Sequence, residues 1–98
     1  MKEKLESYLL KIPSHQEMAS SELIDYFIYF LTVIDDVNAV QASDIDACFS
    51  LTRLDKYSNI SAYLSRHSKK ARGKKPKFIK VKEGYQLERN RQLEIQKA

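Results

Sequence analysis

At 98 residues, with seventeen Lys and Arg against thirteen Asp and Glu, the chain has the size of one domain and a modest core, too small for a deep cleft between lobes. Its net charge of +4 conceals a division: residues 1–46 hold nine acids and three bases, whereas residues 66–82 hold nine bases and no acid. Such polarity turns one face of a small protein toward a polyanion.

Cys48 is the single cysteine and leaves no intramolecular disulfide to form. No N-terminal run has the basic, apolar and small-residue order of a signal peptide, so the expected compartment is the cytosol. The most apolar run, residues 26–34, is far below the ~20 residues that cross a bilayer, and no membrane partner is expected.

In residues 2–12, Leu5, Tyr8, Leu9 and Ile12 have the i, i+3, i+4, i+7 spacing of an amphipathic helix, which Pro13 stops. Residues 1–13 are therefore predicted as a separate N-terminal helix, 14–89 as the main domain and 90–98 as a tail or short helix. Ser14 and Glu17 have capping-box spacing, and Ser20 or Ser21 offers a second helix start. From Leu23 to Ile34 apolar and aromatic residues wrap nearly the whole circumference, which predicts a central helix or an interface helix closed by Asp35.

Ala39, Val40 and Gln41 suffice for one very short strand. Ser43 has the position of an N-cap, and Ile45, Cys48 and Phe49 form the buried stripe of a helix ending near Leu54. Cys48 reads as a small core residue, because no His or cluster of Lys and Arg adjoins it to activate a thiolate.

Ser58 or Asn59 caps the next helix, predicted over about 58–69. On a 100° wheel Ile60, Tyr63, Leu64 and His67 fall on one side, and Ser61, Ala62, Ser65, Arg66 and Lys69 on the other. That outer face is small and polar at its start and basic at its end, so a backbone or a groove can approach it. His67 groups with the packed side.

The basic run comprises Arg66, Lys69, Lys70, Arg72, Lys74, Lys75, Lys77, Lys80 and Lys82. It leads into a β-hairpin pattern over 77–88. A three-residue loop, Lys82-Glu83-Gly84, would set Val81 opposite Tyr85 and Ile79 opposite Leu87, placing all four on one face. After Glu88, Asn90 could cap a short helix carrying Leu93. By composition alone the run fits an ordinary solvated stretch as well as a phosphate-binding one, and the ordered elements beside it favour binding.

Neither Gly73 nor Gly84 lies in a phosphate-loop pattern. His15 and His67 have no nucleophile at a recognisable spacing, and neither they nor Cys48 form a metal-ligand pair, so no enzyme, metal or cofactor is expected. An RNA-stacking aromatic motif is likewise missing.

From about Ser20 to Glu88, the order helix, short strand, helix, turn, helix, basic loop, hairpin resembles a winged helix-turn-helix domain of the small bacterial or phage type. The likeness is carried by Ala42-Ser43-Asp44-Ile45, by residues 58–64 (Ser-Asn-Ile-Ser-Ala-Tyr-Leu), and by Phe78-Ile79-Lys80 with Gly84-Tyr85-Gln86-Leu87. It implies a mainly α fold: a three-helix core, a hairpin wing and an extra N-terminal helix. It further implies duplex DNA as partner, with Asn59, Ser61, Ala62, Ser65 and Arg66 facing the major groove and the wing on phosphate or the minor groove. The basic insertion 70–76 departs from the minimal pattern and shifts phosphate contact toward that loop. Domains of this kind serve as small transcription regulators, and similar segments occur in accessory modules of larger bacterial assemblies, anti-phage systems included.

The competing expectation is an interaction protein that uses the same fold to dock a partner. A homodimer or larger assembly would then join through Leu5, Tyr8, Leu9 and Ile12, or through Tyr26 and Tyr29.

Overall fold

The computed structural model describes residues 2–12, 15–69, 73 and 75–97. The helix stop at Pro13, the cap at Ser14 and the cations Lys70, Arg72 and Lys74 lie outside the described residues. The fold is mainly helical, with one small antiparallel hairpin.

Helix α1 (Lys2–Leu10) lays Leu5, Leu9 and Ile12 into the same core as the rest of the chain. Leu5 is fully buried, and Tyr8 stacks on Tyr29 at 6.0 Å between ring centroids. Of the stripe expected as a joining surface, Leu5, Leu9 and Ile12 are thus buried within one chain, and Tyr8 is half-buried. Tyr26 and Tyr29 are likewise half-buried against the core.

Helix α2 (Ser20–Tyr29) runs into a wider π turn, Phe30–Ile34, ended by a bond from the Asp35 N–H to the Phe30 carbonyl at 2.9 Å. Of the residues predicted to wrap this helix, Leu23, Ile24, Phe27, Ile28, Phe30 and Leu31 are buried, Tyr26 and Tyr29 are half-buried, and Val33 and Ile34 at the end of the π turn are exposed. Asp36, at φ 58°, then turns the chain toward Val40.

Helix α3 (Ala42–Thr52) buries Ile45, Cys48 and Phe49 as predicted. Its cap is Gln41 and not Ser43: the Asp44 carboxylate accepts the Gln41 backbone N–H at 2.8 Å, which fixes the start two residues earlier. Helix α4 (Ile60–His67) is capped by Asn59, whose Oδ1 accepts from the Ala62 N–H at 3.1 Å. Ile60, Tyr63 and Leu64 point inward, and the His67 ring lies against Tyr63 at 4.4 Å.

Strands β1 (Phe78–Val81) and β2 (Gly84–Leu87) pair with Phe78 opposite Leu87, Ile79 opposite Gln86, Lys80 opposite Tyr85 and Val81 opposite Gly84. The loop is Lys82-Glu83 alone, and this corrects the three-residue loop expected from the sequence. Phe78, not Ile79, enters the core, and Ile79 is 44% exposed. The cause lies outside the hairpin. Val40 bridges Tyr85 through Val40 N–H to Tyr85 O at 2.9 Å and Tyr85 N–H to Val40 O at 2.7 Å. This pulls residue 84 onto the Val40 backbone, where any Cβ would collide with the carbonyl, and there φ is +148°. Glycine is required on both counts.

Helix α5 (Arg89–Lys97) opens with the Glu88 carboxylate accepting the Asn90 N–H at 3.0 Å, so Glu88 has the capping part expected of Asn90. Ile95 is its buried residue, whereas Leu93 remains 42% exposed.

Gly84→Ala is expected to lower stability by about 2–4 kcal/mol in urea denaturation, combining backbone strain with displacement of the Val40 bridge. A loss below about 1 kcal/mol would mean that the bridge does not hold the hairpin.

Candidate nucleic-acid interface

The outer arc of α4 is shaped by what its inner arc buries. With Ile60, Tyr63 and Leu64 in the core, Ser61 and Arg66 are exposed, as is Lys69 just beyond the helix, while Ala62 and Ser65 are half-buried. The Ser68 hydroxyl donates to the Ser65 carbonyl at 2.9 Å and closes the last turn. Asn59 is exposed, and its side-chain oxygen is engaged in the cap.

Because the Val40 bridge docks β2 beside the start of α3, the hairpin stands next to α4. Ser61, the α3 start at Gln41 and Ser43, and the hairpin residues Lys80, Lys82 and Tyr85 line one open groove of about 470 Å³. Lys80 is held on that side by its own partner strand, its ammonium 4.7 Å from the centre of the Tyr85 ring. The groove continues between the starts of α3 and α4, past Ser43, Ser58 and Asn59. Glu83 at the hairpin tip is an opposing charge, and Asp46 nearby is paired with Lys56 at 3.1 Å.

Lys75 is exposed on the approach to the hairpin. Lys77 behaves differently from the other cations of the run. Its ammonium turns inward, donating to the Tyr63 hydroxyl at 3.1 Å and lying 3.5 Å from Asp25, with the side chain 38% exposed. The structure therefore brings Ser61, Lys80 and Lys82 together, sets Arg66 on the outer arc of α4, leaves Lys69 beyond the helix, which ends at His67 and not at 69 as expected, and engages Lys77 elsewhere.

Asp25 is the residue that sequence reading missed. It is fully buried on α2, with Oδ1 accepting from the Tyr63 hydroxyl at 3.1 Å and Oδ2 accepting from Arg91 Nε at 2.9 Å and Nη2 at 2.7 Å. Burial, then the Asp25 charge and its hydrogen bond, push the Tyr63 phenol well above its ordinary range, so it stays a donor to the carboxylate. Burial is the largest influence on the Arg91 guanidinium and lowers it, but the Asp25 charge and hydrogen bond, with Glu94 and Tyr26 adding, together outweigh it and the net shift is upward. The available signal was an acid set between Ile24 and Tyr26, flanked on both sides by the apolar residues of the run 23–34. Such an acid is buried, and a buried carboxylate needs partners.

Burial pushes the Cys48 thiol up to about 12, with Asp44 adding to it. That fits a core residue and not a nucleophile. Among the described residues, no group of three His, Cys, Asp or Glu side chains could hold a metal ion, and no helix is long and apolar enough to cross a membrane. Comparison with known proteins finds no match for this chain among family models, curated proteins or solved structures.

Two outcomes follow from these buried groups. Asp25→Ala should cost about 3–5 kcal/mol, since it leaves Arg91 partly buried without its counter-charge. For Cys48 the folded thiol titrates above the unfolded one, so its contribution is complete below about pH 9 and is lost as pH rises toward about 12. Urea titrations of wild type and Cys48→Ala should show their stability difference shrinking by about 1.4 kcal/mol per pH unit above pH 9.5. A constant difference would show the thiol to be solvated.

Proposed function

We propose that this chain binds duplex DNA as a winged helix-turn-helix domain, with α4 as the reading helix and the β1–β2 hairpin as the wing. The observation that carries the reading is the groove in which the small outer face of α4, at Ser61, stands beside Lys80 and Lys82 of the hairpin. Small side chains let a DNA edge approach the helix, and cations on the flank supply phosphate contacts. The order of elements supports the same reading: α2, the Val40 bridge, α3, α4, then the hairpin, with β2 between Val40 and β1.

Within this reading, Arg66, Lys69, Lys75, Lys80 and Lys82 are the described cations of the basic run that meet phosphate. Lys77 is half-buried and engaged with Tyr63 and Asp25. The role is that of a small regulator or of the DNA-contacting module in a larger system.

Fluorescence anisotropy with a short duplex should give log K falling with log salt at a slope of about −4 to −5, as expected for about five neutralised phosphates. Replacing Lys75, Lys80 and Lys82 by Ala should weaken all sequences alike and flatten the slope. Lys77→Met should lower stability and leave the slope unchanged. Affinity indifferent to salt would refute the DNA reading and transfer the groove to a protein partner.

A further inference from the structure

We infer that Arg91, on the C-terminal helix, is a positioning residue for the DNA-binding face, acting through Asp25 on both the reading helix and the hairpin. The inference rests on the DNA reading above for its consequence, but its geometry stands by itself. The stretch between α4 and β1 is long, so chain connection alone does not dictate how the hairpin sits against α4. Tyr63 lies on α4, and Lys77 is the residue immediately before β1. Both reach the same carboxylate, and Lys77 also reaches the Tyr63 hydroxyl.

What orients that carboxylate is Arg91. Its Nε and Nη2 close on Oδ2 at 2.9 and 2.7 Å, which leaves Oδ1 directed at Tyr63. Two N–H groups of a rigid guanidinium anchor Oδ2 from two directions, where a single ammonium gives one, and Oδ1 is left to Tyr63. Arg91 touches neither the groove nor the exposed cations. It is carried by α5, a helix whose described side chains include one buried apolar residue, Ile95. Any element that moves α5 would therefore release Asp25 and loosen the angle between α4 and the wing.

The test uses the full chain with Asp25→Leu and Arg91→Met together, because replacing a buried ion pair by apolar residues of similar volume commonly preserves stability. Tyr63 keeps Lys77 as a partner in this variant. The expected result is a thermal midpoint near that of wild type, duplex affinity at least tenfold weaker, and a salt slope no shallower, since no phosphate-facing cation is removed. In a Cys48→Ala background, spin labels at positions 66 and 83 should give a broader distance distribution in the variant than in the parent. Arg91→Lys, which keeps the charge and loses the fork, should fall between the two and carries the test if the double variant does not fold. A stable variant with wild-type affinity and an unchanged distance distribution overturns the inference. Failure of the parent protein to bind DNA refutes the DNA reading instead, and the label distances still decide the positioning claim.

Discussion

A carboxylate removed from water in the centre of the domain constrains the rest of the molecule. Asp25 cannot remain charged there without close partners, and those it recruits come from α4, from the residue preceding the hairpin, and from α5. Three segments distant in sequence are thereby tied to one point on α2. The apolar core would tolerate several small rotations of α4, whereas a Tyr63 hydroxyl aimed at one oxygen tolerates few. The polar cluster supplies direction where Leu, Ile and Phe supply cohesion, and it does so behind the face that carries the exposed cations.

The second constraint is backbone contact. Val40 and Tyr85 exchange both of their hydrogen bonds, and Gly84 is the residue that lets the chains meet so closely. This contact sets the hairpin register, sends Phe78 and Leu87 inward, and leaves Lys80 across from Tyr85 on the groove side. Fold and charge distribution are therefore not separate matters. A register shifted by one residue would turn the strand's side chains, Lys80 among them, to the opposite face.

Local pattern was enough to read the helices. The spacing of Leu5, Leu9 and Ile12, the apolar run 23–31, the Asn59 cap and the inner arc Ile60, Tyr63, Leu64 each follow from neighbours within a few residues and are present in the fold, whereas the exposed Val33 and Ile34 of the π turn and the Gln41 cap of α3 were not read. What escaped reading depends on distant partners. The hairpin register is decided by Val40, and Asp25 finds Tyr63 and Arg91 at sequence separations of 38 and 66. For the same reason Lys77 reads as one more cation of a basic run, although its ammonium faces the interior. The apolar stripe of α1 was legible as a stripe, but its covering surface on α3 was not. Of the candidate site, the outer arc of α4 was visible on a helical wheel, while the meeting of Ser61 with Lys80 and Lys82 required the Val40 bridge.

The groove between α4 and the hairpin is proposed as the surface that meets duplex DNA. The most direct measurement is a titration of isotope-labelled protein with a short duplex, followed through backbone amide chemical shifts. The largest changes are expected at residues 59–66 and 80–84, with the amides of α1 and of the π turn at 30–34 left in place. Changes centred on α1 or the π turn, or no change at any duplex concentration, would contradict the proposal.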